Sequence, residues 1–170
     1  MNEVSELRRI EYGVTADDNP RKLGLVTFHI ICSGNSETVL LKAKEVLKNF
    51  IISSSEQWPT AEQWRNLLPK WFVNECAEEK TKEEMEKYLE NLRKLPSDER
   101  EQIIENIRWS LENWLYWLAP SERQWFWWDA EIVDENLLHI VVEVKEWPFA
   151  WKALAWLFRA SGAVRVIPEE

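Results

Sequence analysis

Four stretches of the chain have the β-branched and aromatic composition of strands, and their order limits the possible folds more than any other feature of the sequence. They are residues 23–32, 125–133, 137–145 and 163–167. Only Asp134, Glu135 and Asn136 separate the second stretch from the third, which predicts a β-hairpin. The first stretch stands far upstream, so any sheet must join segments that are distant along the chain.

Helical periodicity fills most of the sequence between these stretches. Apolar residues recur at helical spacing from Val39 to Phe50, directly after the first predicted strand. Another apolar segment, Phe149 to Ala160, follows Pro148 and precedes Gly162, which are typical start and stop residues of a helix. The sequence therefore predicts one helix after the first strand and one before the last.

Residues 57–119 predict three further helices with short connections. The first covers residues 60–72, begins at a capping box formed by Thr60 and Gln63, and is kinked or split at Pro69. The second covers residues 80–94, and the third runs from Pro96 to residue 118 without a break.

The complete order, β-α-(three helices)-β-β-α-β, predicts an α+β fold. Without the insertion the pattern is βαββαβ, the ferredoxin-like arrangement, whose antiparallel sheet has the strand order 4-1-3-2 and two helices on one face. We expect a single domain over residues 1–170. Its parts are a polar lead-in at 1–22, a first β-α unit at 23–52, the helical insertion at 57–119 between the first helix and the second strand, and a β-β-α-β unit at 125–167. Residues 7–14 are interpreted either as a short strand or as part of a flexible lead-in.

Composition excludes several classes of function. The formal net charge of -9 argues against binding to nucleic acid. The chain has no apolar run near the ~20 residues that a membrane-spanning helix needs, and its first residues lack the apolar core of a secretory signal. Cys32 and Cys76 suggest neither a disulfide framework nor a zinc site, so we expect buried, reduced thiols and a cytoplasmic protein.

Alternation along the predicted strands assigns side chains to two faces of the sheet. An apolar set, which includes Phe28, Phe126, Trp128 and Ile140, is expected to pack under the two helices. The opposite face then collects a polar set that we take as candidate ligand-binding residues. This set consists of His29, Trp127, Asp129, Glu131, His139, Glu143 and Arg165.

Three interpretations of this polar face are open. It is a solvated or helix-covered face whose charges pair, a surface for a ligand, partner or second subunit, or a metal or acid–base site built from His29, His139 and a carboxylate. Imidazole and carboxylate are ligands of zinc and iron, but the helical motif H-E-x-x-H is absent. Whether the inserted helices cover this face or pack at an edge of the sheet is also open.

Sequence motifs for nucleophilic catalysis and for phosphate binding are absent, and the sequence leaves any cofactor unknown. The insertion is instead acidic, because residues 75–105 contain eleven carboxylates and six basic side chains. We therefore expect a non-enzymatic interaction or regulatory module, a monomer or homodimer that binds a basic protein and neither nucleic acid nor a membrane. The candidate partner-binding residues are Glu79, Glu83, Glu86 and Glu90. The alternative is a small-molecule or metal-binding domain that uses the face with His29 and His139. An oxygenase-like dimeric barrel is one form that such a domain takes.

Overall fold

A computed structural model of the chain describes residues 3–20 and 24–170 and has a mixed α+β architecture. In the described residues, one four-stranded antiparallel sheet is accompanied by eight helices. The strands are β1 (Gly24–Ile31), β2 (Trp125–Asp134), β3 (Leu137–Val144) and β4 (Arg165–Pro168). The helices are α1 (Glu3–Tyr12), α2 (Ser36–Ser54), α3 (Ala61–Leu67), α4 (Lys70–Glu75), α5 (Lys82–Arg93), α6 (Ser97–Asn106), α7 (Leu111–Leu118) and α8 (Lys152–Ala160).

Across the sheet the strands follow the order β4-β1-β3-β2, and each neighbouring pair is antiparallel. The predicted hairpin is confirmed as β2 and β3. The first predicted strand is confirmed as β1, although its first predicted residue, Leu23, lies outside the described residues. At the centre of the sheet Phe28 pairs with Ile140 and His29 pairs with His139.

One face of the sheet forms the core beneath α2 and α8. Phe28, Ile30, Ile140 and Val142 lie on this face and are fully buried. Strand alternation predicted these positions correctly because β1 and β3 pair without interruption from Gly24 to Ile31.

Strand β2 departs from simple alternation, and this overturns the predicted position of Trp127. The register shifts between Trp127 and Asp129, so that Trp127 pairs with Val142 but Asp129 pairs with Val141. Such a β-bulge adds one residue, Trp128, to one strand and reverses the facing of the residues before it. Trp127 is therefore fully buried in the core, where its ring stacks on Phe158, instead of lying beside Asp129 on the polar face.

Phe126 is reversed in the same way. It was expected in the core, but it pairs with Glu143 on the opposite face of the sheet.

The insertion contains five helices rather than three, because the first and the third predicted helices are each divided into two. Pro69 separates α3 from α4, and the predicted capping box of Thr60 and Gln63 is present at the start of α3. The predicted helix from Pro96 to residue 118 is interrupted between α6 and α7. Ile107 is extended there, and the Ser110 hydroxyl accepts the Asn113 N–H to begin a new helix.

The inserted helices pack on the helical side of the sheet through an aromatic cluster. Trp64 stacks on Phe50 of α2, with ring centroids 5.5 Å apart. Trp114 of α7 meets Phe72 at 4.8 Å and donates its Nε1–H to the carbonyl of Ala153 in α8 at 3.0 Å. These contacts extend the core outward from α2 and α8, on the side away from His29 and His139.

Residues 3–12, within the expected lead-in, form helix α1, so neither a strand nor a flexible segment occurs there. The helix lies along β2, an edge strand whose Trp127 backbone needs partners. The Glu6 carboxylate accepts the Trp127 N–H at 2.8 Å, and Arg9 donates to the Trp127 carbonyl at 3.2 Å. Glu6 also binds the buried guanidinium of Arg123. Side chains of α1 therefore occupy an edge that is otherwise open to pairing with another strand.

Helix α8 begins at Lys152 rather than at the predicted Phe149, because Trp151 takes the N-cap position. In the part of the chain that the structure describes, no helix has both the length and the apolar character needed to cross a bilayer.

Candidate functional site

The polar face of the sheet brings the two histidines of the chain into contact. His29 and His139 are paired across β1 and β3, and their ring centroids lie 4.6 Å apart with an interplanar angle of 42°. Both side chains are about one-third exposed. Strand alternation predicts both histidines on this face, and in the structure their rings are in contact.

A glutamate lies near each of these imidazoles. Glu131 Oε2 is 3.8 Å from His139 Nδ1, which brings one predicted carboxylate to the histidine pair. Glu169 Oε1 is 3.7 Å from His29 Nε2. Sequence analysis missed Glu169 because this residue follows the last predicted strand. In the structure the Glu169 N–H donates to the carbonyl of Thr27 in β1, which holds Glu169 next to that strand. This part of the face therefore presents two imidazoles and two carboxylates as hydrogen-bonding groups.

The other predicted members of the polar set do not join the histidine pair. Glu143 is on this face but only 1% exposed, four residues along β3 from His139. Asp129 is half-buried opposite Val141, next to the bulge. Arg165 is paired with Glu105 of α6 at 3.5 Å, and Trp127 is in the core.

The geometry bears on the metal-site interpretation. Among the described residues, no group of three or more histidine, cysteine, aspartate or glutamate side chains is arranged to hold a metal ion.

Helix α5 carries most of the predicted acidic site. Glu83, Glu86 and Glu90 are exposed, and their spacing of three and four residues places them on one face of the helix. Another face carries Met85 and Leu89, each 42% exposed. Leu92 is the one residue that α5 buries.

Glu79 does not belong to this acidic face. It precedes α5, and its Oε1 accepts the Glu112 N–H in the first turn of α7 at 3.0 Å. The same oxygen is 3.6 Å from Arg65 Nη2. Glu79 therefore connects three parts of the insertion, and this internal role was not visible in the sequence.

Both cysteines are buried and form no disulfide. Burial raises the pKa of the Cys76 thiol to about 11, and it raises the pKa of Cys32 as well. Because the thiolate is the reactive form, neither side chain is suited to act as a nucleophile at neutral pH.

Sequence analysis missed a cleft between α6, α8 and β4 that contains Trp109, Trp151, Lys152 and Arg159. These residues come from segments about fifty residues apart in the sequence, and no spacing motif connects them. The run of aromatic and basic residues around α8 could have suggested this cleft, but the sequence analysis treats the run only as an apolar helix.

No protein-family model, curated protein or solved structure gives a significant match to this chain.

Proposed function

We propose that this chain is a protein-interaction module whose helix α5 binds an apolar groove with a basic rim on a partner protein. The observation that carries the proposal is the exposure of α5, which has twelve residues and buries only Leu92. An isolated helix of this length is only marginally stable in water, and most helices gain their stability by packing an apolar face. A partner groove would supply that missing packing.

Two faces of α5 support this mode of binding. Met85 and Leu89 are spaced as the i and i+4 anchors of a helix that inserts into a groove. Glu83, Glu86 and Glu90 lie on the flank beside these anchors, where they would meet the basic rim. Lys87 and Lys94 lie among these carboxylates, and Lys94 Nζ is 3.9 Å from Glu90. The acidic face is therefore moderate in charge, and the apolar anchors are expected to supply most of the affinity.

The proposal also covers the fold that carries α5 and the cellular compartment in which the protein acts. The strand order β4-β1-β3-β2, with α2 and α8 on one side, supports a ferredoxin-like βαββαβ core that carries the insertion between its first helix and second strand. The buried cysteines without a disulfide support a cytoplasmic site of action.

The test is site-specific photo-cross-linking in cells of the source organism. A photoreactive phenylalanine analogue at position 89 should cross-link a protein with a basic, apolar-grooved surface. The same analogue at Leu41, an exposed position on α2, should not. The variant Glu83→Lys/Glu86→Lys/Glu90→Lys should lower the yield at position 89 by about tenfold, because like charges meeting at an interface are strongly unfavourable.

A matched variant controls for net charge. Glu56→Lys/Glu146→Lys/Glu170→Lys changes three exposed glutamates outside α5 and likewise shifts the formal charge from -9 by six units to -3. It should retain the cross-link. Glu79 is left unchanged in both variants because it holds α7. The proposal is wrong if position 89 yields no cross-linked protein or if both triple variants lose it equally.

A second candidate function is ligand binding on the open sheet face. The contact between His29 and His139, with one glutamate near each ring, favours it. Native mass spectrometry of the purified protein should then show a dimer or an added mass, and His29→Ala or His139→Ala should abolish it. A bare monomer of 20.3 kDa would contradict this candidate without affecting the proposal for α5.

A further inference from the structure

A cleft of about 560 Å³ opens between the C-terminal part of α6, the start of α7, one side of α8 and the segment 164–166. Its volume is within the range of about 300–1,000 Å³ that is typical of small-molecule sites. The cleft is separate from both the exposed face of α5 and the histidine pair.

The charge of the cleft is opposite to that of the whole chain. Lys152, Arg159 and Arg165 line it, together with one carboxylate, Glu105. Three cations and one carboxylate give a local charge of +2, while the formal net charge of the chain is -9. A concave surface with one predominant sign of charge raises the local concentration of ligands with the opposite sign.

Arg159 is held in place at the side of the cleft. Its Nη2 donates to the carbonyl of Ile107 at 3.0 Å, and its guanidinium lies 5.2 Å from the ring of Trp156. Burial lowers the pKa of Arg159, because a half-buried cation has lost part of its hydration. The Ile107 carbonyl occupies one of the five N–H donors of the guanidinium, which is a group suited to bidentate recognition of carboxylate and phosphate.

Aromatic rings provide the apolar part of the lining. Trp109 and Trp151 are both half-buried at the cleft, so each indole keeps accessible surface there. Lys152 Nζ lies 4.2 Å from the centroid of the Trp151 ring, which places a cation next to an aromatic face. Indole rings beside cations match a ligand with a flat ring and a negatively charged group.

We propose that this cleft binds a small planar aromatic anion, with Lys152, Arg159 and Arg165 meeting its charged group and Trp109 and Trp151 packing against its ring. The shared chemistry is an aromatic ring system that bears a phosphate or a carboxylate. Glu105 competes with such a ligand, since its Oε1 is 3.5 Å from Arg165 Nε. A bound anion would replace Glu105 as the partner of Arg165.

Isothermal titration calorimetry with four defined probes tests this assignment. Adenosine 5′-monophosphate carries a phosphate and indole-3-acetate carries a carboxylate, while adenosine and indole are their neutral counterparts. We expect at least one anionic probe to bind, and to bind about tenfold more tightly than its neutral counterpart. Binding of only the phosphate or only the carboxylate probe would identify the charged group that the cleft selects.

Variants locate the binding. Arg165→Ala should weaken it by about tenfold, because it removes a cationic partner of the anion. Glu105→Gln should strengthen it by about twofold to fivefold, which is the scale of an exposed ion pair. Tighter binding is an effect that a loss of structure would not produce. Lys70→Ala, an exposed lysine of α4 outside the cleft, is the matched control and should bind as the wild type does.

Three results would overturn the assignment. One is that neither anionic probe binds at millimolar concentration. Another is that a neutral probe binds as tightly as its anionic counterpart. The last is that Arg165→Ala and Glu105→Gln, with circular dichroism spectra like that of the wild type, leave the affinity unchanged.

Discussion

Glu6 attaches α1 to the rest of the molecule through two buried partners. It is 1% exposed, and it accepts hydrogen bonds from the Trp127 N–H at 2.8 Å and from Arg123 Nη1 at 3.0 Å. Arg123 is itself buried, and its guanidinium lies 4.5 Å from the Phe126 ring and 5.4 Å from the Trp125 ring. Removing one member of a buried ion pair leaves the other charge without compensation, and such a change costs about 3–5 kcal/mol.

We therefore expect Glu6→Gln to lower the free energy of unfolding by about 3–5 kcal/mol, as measured by urea denaturation. Glu11→Gln on the same helix is the matched control. Glu11 also pairs with a cation, Lys48 at 3.2 Å, but both side chains are partly exposed. Its loss should cost no more than about 1 kcal/mol. Equal effects of the two substitutions would show that α1 is not anchored through Glu6.

The sequence could predict α1 only poorly because its buried face is polar as well as apolar. Glu6, Arg9 and Ile10 are spaced as one face of a helix, and all three are buried. Hydrophobic periodicity registers Ile10 but not Glu6 or Arg9, whose burial depends on Arg123 and on the backbone of Trp127. Those partners are more than one hundred residues away in the sequence.

At the scale of strands and helices, prediction succeeded where a regular period continued without interruption. Strands β1 and β3 pair residue by residue, so their core positions and the placement of His29 and His139 on one face followed from parity. The contact between the two rings depends on the register, which parity does not give. The bulge at Trp128 interrupts the alternation of side chains in β2. All four residues of the run Trp125–Trp128 are apolar, so the hydrophobic pattern does not reveal which of them is unpaired.

The division of the predicted long helix has a tertiary cause. Arg108 donates to the carbonyls of Asn74, Glu75 and Cys76, and Arg159 donates to the carbonyl of Ile107. These bonds fix the chain between α6 and α7 against α4 and α8. Helical spacing of Ile104, Ile107 and Leu111 continues through the same region, so local periodicity favoured one helix and tertiary hydrogen bonds favoured two.

In the molecule as a whole, acidic and basic side chains are concentrated on different surfaces, which the net charge does not show. The acidic face of α5, the cationic cleft beside α8 and the histidine pair on the sheet lie on different parts of the structure. Sequence analysis recognised the acidic insertion as a block of charge. The cleft was missed because it forms only when Lys152, Arg159 and Arg165 meet residues of α6 and the segment before α7.

The aromatic cluster that joins the insertion to the rest of the molecule leads to a prediction about cooperativity. Trp114 is fully buried, contacts Phe50 and Phe72, and donates a hydrogen bond to Ala153. If this cluster couples the inserted helices to the sheet, Trp114→Ala should destabilise both by the same amount, about 3–5 kcal/mol. Tyr116→Ala on the same helix removes an exposed ring and should cost about 1 kcal/mol or less.

The two histidines make this coupling measurable, because His29 and His139 lie in the sheet and the chain contains no others. Their proton NMR signals report unfolding of the strands, while far-UV circular dichroism is dominated by the helices. We expect the two denaturation midpoints to coincide in the wild type and to shift together in Trp114→Ala. If the dichroism midpoint falls while the histidine signals keep theirs, the insertion unfolds separately and the chain behaves as two units. Coincident shifts would mean that binding at α5 or at the cleft acts on a single cooperative structure.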